Sequence, residues 1–188
     1  MNFQVFNEEV LFTSDSITRV NGKDIELLKQ KAAVNPRKRV RLCAHGSPED
    51  SVHEMLIVHS KGAYVRPHKH LIASGSPDAL NKSESFHIIE GALKVVIFDD
   101  SGCVIDVIDM GDYRTGKSFY QRISNAYFHT VIPTSEMVVF HETTKGPFRR
   151  EDTVFAPWSP EENDVEGQAY VSLLDRQISD YEDAGSLT

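Results

Sequence analysis

The sequence predicts an all-β sandwich or barrel, preceded by one helix and followed by a helical extension. Three observations carry this. From about Arg39 to Phe148 the chain is a succession of short runs rich in β-branched and aromatic residues, separated by turn residues at roughly regular spacing. That is the pattern of antiparallel sheets rather than of a parallel α/β sheet. Apolar residues recur at helical spacing on either side of this region, and the 188 residues, 40% apolar and 26% charged, suit one domain that buries a core without disulfides.

Taken in order, residues 22–34 (GKDIELLKQKAAV) place Ile25, Leu28 and Ala32 on one helical face. Asn35-Pro36 ends that helix, because the residue before a proline is driven out of the helical region. The β region then reads VRLCAH (40–45), EMLIVH (54–59), AYVRPH (63–68), SFHIIE (85–90), ALKVVIF (92–98), CVIDVIDM (103–110), FYQRIS (119–124), HTVIP (129–133) and MVVFHE (137–142). Turns such as Asp99-Asp100-Ser101-Gly102 and Pro133-Thr134-Ser135 divide the strands. Ser159-Pro160-Glu161-Glu162 combines a serine cap, proline at the first helical position and glutamate at the third, so a helix is expected to start there. Val165, Ala169 and Leu173, with Tyr170, Leu174, Ile178 and Tyr181, form a stripe that packs on the barrel or on a second subunit. Residues 183–188 are expected to fray. The division is one domain over 1–188: an N-terminal helical extension (1–36), a barrel (37–158) and a C-terminal helical tail (159–188).

The net charge of −8 and pI of 5.4 repel phosphate backbones and anionic lipid, so neither nucleic acid nor a membrane is expected as partner. Two cysteines, Cys43 and Cys103, make no disulfide framework. The opening MNFQVFNEEV lacks the basic-then-apolar order of a leader, and no apolar run exceeds four residues. A cytoplasmic protein is the expectation.

Of eight histidines, three fall within residues 66–91. In a strand, alternate side chains share a face, which groups Tyr64, Arg66, His68 and His70. If the strand beginning at Glu84 pairs antiparallel with this one across a 71–83 loop, Glu84 lands opposite the histidines. Phe86 and Ile88 then follow it inward, and His87 points away. His129, entering the HTVIP strand, is a fourth candidate. Three neutral imidazoles and a carboxylate suit a divalent transition ion (Fe, Mn, Ni, Co or Zn), filling four octahedral positions and leaving two for water or substrate.

These residues resemble the cupin superfamily. The first cupin motif runs His-x-His, a short spacer, Glu, six residues and Gly, matched by His68-Lys69-His70, Glu84 and Gly91; the second ends in a histidine, matched by His129. The similarity is closer to the WbuC-type cupin-fold metalloproteins associated with surface-polysaccharide genes. It is carried by NPRKRVRLCAH (35–45), YVRPHKH (64–70), ESFHIIEG (84–91), HTVIP (129–133), HETTKGPF (141–148) and FAPW (155–158). The resemblance implies a cupin-type double-stranded β-helix, a homodimer, and His68, His70, Glu84 and His129 as metal ligands. Two departures stand out. Thirteen residues separate His70 from Glu84, an extension that a surface loop absorbs at ~0.6 kcal/mol per doubling of length. Ser124-Asn125-Ala126 replaces the usual Pro-x-Gly, so the turn presenting His129 is made differently.

Other residues are candidates for handling a ligand. Arg37, Arg39, Arg41, Cys43 and His45 alternate on one face, as a cationic wall for an anionic substrate, or as a charged edge strand or dimer interface. Arg66 is placed to hold a carboxylate or phosphate near the metal, and Tyr64 to donate a proton; the alternative is that both support the ligands or the rim. Glu142 is a cavity-facing base or an arginine's partner. Cys43 reads as a small core residue, and Trp158 as a plug that packs the C-terminal segment onto the barrel. A second site at His45 and His53 is conceivable. The 71–83 loop is either a lid or an insertion.

The function expected is therefore a divalent-metal-dependent protein acting on a small polar or anionic molecule, by resemblance a saccharide or sugar-nucleotide derivative. Arg39, Arg41 and Arg66 would bind the substrate, and Tyr64, Arg66 and Glu142 would serve the reaction. An Fe(II)-dependent dioxygenase and a non-catalytic metal-containing binding module are the alternatives.

Overall fold

The computed structural model describes residues 2–71, 82–162 and 165–185. Along the chain run β1 (Phe3–Val5), β2 (Val10–Thr13), α1 (Gly22–Val34), β3 (Arg39–Cys43), β4 (Val52–Ser60), β5 (His68–His70) and β6 (Glu84–Glu90). There follow β7 (Ala92–Phe98), β8 (Val104–Gly111), β9 (Tyr120–Ile123), β10 (Phe128–Pro133), β11 (Met137–Lys145), β12 (Thr153–Phe155) and α2 (Val165–Gly185). The strands form two facing sheets, one ordered β1-β2-β3-β4-β11-β6-β9 and the other β12-β5-β10-β7-β8. Every pairing is antiparallel except β2 with β3. This is a cupin-type jelly roll.

Burial explains the layering. Inward side chains of both sheets, among them Met55, Ile57, Phe86, Ile88, Leu93, Val95, Val131 and Phe140, form the central core. The outer face of the seven-stranded sheet is covered by α1, whose Leu28 and Ala32 pack on Leu11, Val40, Leu42 and Val58. The other sheet is covered by α2 through Leu174 and Ile178 against Val96, Phe98 and Ile132. Strand β7 is therefore apolar on both faces from Val95 to Phe98, which is why VVIF is a continuous run rather than an alternating one.

Local signals fix the ends. Asn21 caps α1 by accepting from Lys23 N at 2.9 Å while Asp24 accepts from Asn21 N at 2.9 Å. Asn35 leaves the helix in an extended conformation ahead of Pro36. Gly91 turns β6 into β7 with φ +82°, and a Cβ there would collide with the carbonyl oxygen of Met137. Only glycine suits that position, which accounts physically for the glycine seven residues after Glu84.

Several expectations are corrected. The N-terminal extension is not purely helical, because β1 and β2 join the larger sheet and place β3 inside it, so β3 is not an edge. The run AYVRPH yields no strand until His68, since Pro67 has no N–H to give to a ladder. Strands β5 and β6 do not pair; they lie in opposite sheets. The tail helix is described from Val165, not from Ser159. The Ser159 hydroxyl instead donates to Ala156 O at 2.9 Å, and Pro160 and Glu162 hold Tyr64 and Arg39. On α2, Leu174 and Ile178 are buried, whereas Ala169 and Leu173 are exposed. Residues 72–81 of the expected loop, 163–164 before the helix, and 186–188 of the tail lie outside the described residues.

Candidate metal centre

The three histidines converge because β5 and β10 are neighbours in one sheet, with His129 directly opposite His68, and because alternation along β5 puts His70 on the same face as His68. One ligand atom from each ring lies within 4.8 Å of the others. Each ring is anchored from behind. His68 Nδ1 stands 2.8 Å from Arg66 O and His129 Nδ1 3.0 Å from Tyr127 O. A carbonyl only accepts, so both Nδ1 atoms carry a proton and both Nε2 atoms face the interior. His70 Nδ1 is 3.3 Å from the Thr153 hydroxyl. Metal-ligating imidazoles are held in this way, one nitrogen oriented by an outer partner and the other free to bind. The altered turn before His129 is closed by Tyr127 N donating to Asn125 O at 2.9 Å.

Glu84 comes from the opposite sheet, across the interior rather than across a hairpin. Its Oε1 lies 2.5 Å from His129 Nε2, and its Oε2 lies 3.6 Å from His70 Nε2. Both Glu84 Oε1 and His129 Nε2 are buried and have no partner other than each other. With the ligand atoms of the three rings within 4.8 Å of one another and a carboxylate oxygen against one of them, the donors converge as an ion bound beside them would require. On this observation the residues fit a divalent ion.

Charge states follow from burial and proximity. Burial pushes His68 down to about 3, with His129 and His70 adding to the shift, and burial also lowers His70. Burial alone would lower His129, but the adjacent Glu84 carboxylate outweighs it and holds His129 above its ordinary value. Burial alone would raise Glu84, but His129 prevails and holds it below the usual carboxylate range. Without metal, the site is two neutral imidazoles beside an imidazolium–carboxylate pair.

The cluster opens into a cavity of about 820 Å³, lined also by Arg39, Arg41, Arg66, Glu142, His59 and Phe155. Its arginines are not equivalent. Arg39 is spent on Glu9 at 2.8 Å and Glu162 at 2.6 Å, and Arg37 joins the same pair. Arg66 reaches Ser159 Oγ at 3.3 Å and Glu161 at 3.4 Å, and lies 5.1 Å over the Phe155 ring. Arg41 lines the cavity with an exposed side chain, and its guanidinium has no hydrogen bond or ion pair among the described residues. Glu142 faces the cavity, where burial, reinforced by Glu84, pushes its carboxyl up to about 8.

Tyr64 does not join this wall. Its hydroxyl donates to Pro160 O at 2.9 Å and its ring meets Tyr170 of α2 at 5.9 Å. The parity that grouped Tyr64 with the histidines required a continuous strand, which ends at Pro67. Trp158 packs on Phe98 and Phe128, and His87 is exposed on the outer face. Two cavity features escaped the sequence reading. His59 is 5% exposed, and its Nδ1 has no partner; the alternation His53, Met55, Ile57, His59 along β4 would have placed it inside. Thr153 and Phe155 line the cavity from β12, too short a strand to announce itself.

Fold and site together define a cupin-type jelly roll whose interior carries a three-histidine cluster able to hold a divalent ion. Over residues 20–110 the sequence matches the family described as Domain of unknown function (DUF6016). No curated protein matches it. Among solved structures, a variant of the Bacillus subtilis oxalate decarboxylase OxdC is 18% identical with a TM-score of 0.45, covering 62% of this chain and 27% of that one. The Lactobacillus farciminis oxalate decarboxylase formate complex is 15% identical with a TM-score of 0.41, covering 56% and 27%. Protein SO0799 of Shewanella oneidensis is 10% identical with a TM-score of 0.47, covering 61% and 72%. The chain spans about a quarter of the length of the oxalate decarboxylases. At these identities and TM-scores none of them bears on the chemistry of the site.

Proposed function

We propose that this chain is a divalent-metal cupin acting on a small polar or anionic molecule, with His68, His70, His129 and Glu84 as the ligands. The observation that carries the reading is the convergence of ligand atoms of His68, His70 and His129 within 4.8 Å of one another, with the buried Glu84 carboxylate 2.5 Å from His129 Nε2. A bound ion would supply Lewis-acid polarisation of a carbonyl or hydroxyl on the ligand. Around it, the protein's own groups divide the work. Arg41, uncommitted at the cavity wall, receives the anionic end, because a guanidinium pairs with carboxylate or phosphate in a fixed fork. Arg66, braced by Ser159 and Phe155, narrows the wall. Glu142, pushed up to about 8, holds a proton at neutral pH that it can lend to the ligand. Arg39 supports the wall instead of binding substrate, being already paired twice.

A saccharide or sugar-nucleotide derivative is the substrate suggested by the resemblance, and a cavity of about 820 Å³ accommodates one. A homodimer is the proposed assembly on the same ground, and the cytoplasm is the proposed location.

The test is cobalt(II) substitution followed by visible absorption. The proposal expects bands that shift when azide or citrate is added, since a working site keeps coordination positions open. It further expects Arg41→Ala to weaken citrate more than azide. A bound ion whose spectrum ignores every added anion would mark a site closed by protein and make the chain a binding module with a structural ion.

A further inference from the structure

Beside the metal cluster lies a second chamber, and we propose that it houses a single aromatic or branched apolar arm of an acid whose polar head sits at the histidines. This rests on the metal and anion reading given above and puts an apolar acid in place of the saccharide as the ligand class. The chamber measures about 200 Å³. Its floor is one row across the inner face of the larger sheet: Phe12 beside Cys43, Cys43 opposite Met55, and Met55 opposite Glu142. Its wall is aromatic. His45 stacks on His53 with ring centroids 4.0 Å apart, and Phe12 meets His45 edge-on at 5.6 Å.

These two imidazoles are walls rather than polar readers. His53 Nε2 stands 3.1 Å from Pro48 O, and His45 Nδ1 stands 3.1 Å from the backbone of Glu54, so the backbone occupies one nitrogen of each ring. Burial lowers both, which keeps them neutral near pH 7. Phe12, Cys43 and Met55 give the floor an apolar centre, although Lys82, Glu142, Thr144 and Arg149 also line the chamber, and an aromatic ring would extend the edge-to-face series already present.

The two chambers are joined rather than merely close. Arg41, His70 and Glu142 line both. A charged head held by Arg41 and the metal ligands therefore has an apolar recess immediately beside it. A dry apolar cavity of about 150 Å³ accepts benzene, so the recess is sized for one ring or a short branched alkyl group. A compact diacid would leave it empty.

The experiment is calorimetric titration of the metal-loaded protein with 3-phenyllactate, with lactate (same head, no arm) and with glucuronate (a sugar acid), with metal content measured on each sample. The expected result is roughly tenfold or more tighter binding of phenyllactate than of lactate or glucuronate, from the apolar area of one ring. Met55→Trp, which fills the recess, should bring phenyllactate down to the affinity of lactate. If that variant does not fold, Phe12→Ala provides the second reading, a severalfold smaller advantage of phenyllactate over lactate. Equal binding of phenyllactate and lactate, tighter binding of glucuronate, or an advantage that survives both substitutions would overturn the proposal. Failure of the wild-type protein to take up metal would overturn the metal reading itself and this inference with it, and the metal analysis shows that separately.

Discussion

Replacing Glu84 with glutamine separates what the carboxylate does for the fold from what it does for a metal. In the metal-free protein the change removes one half of a pair whose side chains are both 3% exposed, so solvent does not screen the loss. His129 then sheds the proton that Glu84 stabilises and, as a neutral ring, can accept from the glutamine amide. The cost is therefore that of a changed buried hydrogen bond, about 1–2 kcal/mol, rather than the 3–5 kcal/mol of a stranded charge. For a chain of 188 residues each kcal/mol moves the melting temperature by about 2–4 °C, so the metal-free variant should melt roughly 2–8 °C lower. The metal term is larger. Wild-type protein at a metal concentration 1,000 times its Kd gains about 4.1 kcal/mol, or about 8–16 °C. A hundredfold loss of affinity at the same concentration leaves about 1.4 kcal/mol, or about 3–6 °C. The assay is thermal unfolding of both proteins with and without the ion. An equal metal-induced rise in the two proteins would refute the assignment of Glu84 as a ligand, whatever happened to the metal-free melting points.

The remaining predictions concern acid, the turn and the arginines. Glu84 holds His129 above its ordinary 6.5, so a metal must displace that proton, and affinity should fall as pH drops through the raised His129 value. About one proton released per ion in that range, measured by calorimetry in buffers of different ionisation enthalpy, would confirm it; no release would contradict it. The stability signs are opposite for the two partners. The raised His129 contributes below 6.5 and is lost as pH rises through its folded value, while the lowered Glu84 contributes above 4.5 and is lost as pH falls through its own. The metal-free protein should therefore draw most from this pair between pH 4.5 and 6.5. Gly91→Ala should cost about 2 kcal/mol or more in urea unfolding, from the positive φ and the collision with Met137 O together; a loss under about 0.5 kcal/mol would mean the turn adapts. Arg39→Ala should destabilise the fold by leaving Glu9 and Glu162 to the more exposed Arg37, whereas Arg41→Ala should leave unfolding unchanged and weaken anionic ligands, a contrast that parallel denaturation and titration would show.

Much of this arrangement is readable in the residues, and the gaps have physical causes. Period-two alternation places Glu84, Phe86 and Ile88 inward and His87 outward, and all four lie so. The helix 22–34 is announced by its apolar spacing and by Asn35-Pro36, and its bounds agree with α1. Long-range pairing is another matter. Nothing in a local pattern says that β5 pairs with β10 and β12, and the natural guess of a hairpin to β6 brings Glu84 to the histidines by the wrong route. Parity fails for Tyr64 because it presumes a strand through Pro67. Ser159-Pro160-Glu161-Glu162 has the composition of a helix start, but tertiary partners claim it: Tyr64 takes the Pro160 carbonyl and Arg39 takes Glu162. The three-residue strands β1 and β12 carry too few residues to display any period. The distinction among the arginines was also out of reach, since Arg39 and Arg41 look alike on a strand until Glu9 and Glu162 arrive from distant segments.

The claim on which the rest depends is that His68, His70, His129 and Glu84 bind one ion together. Elemental mass spectrometry of untagged protein, alongside His70→Ala and His129→Ala variants, tests it most directly. The account predicts about one divalent transition ion per chain in the wild type, lost in both variants while far-UV circular dichroism is retained. Folded wild-type protein that takes up no ion even after reloading, or a His129→Ala variant that keeps a full complement, would contradict it.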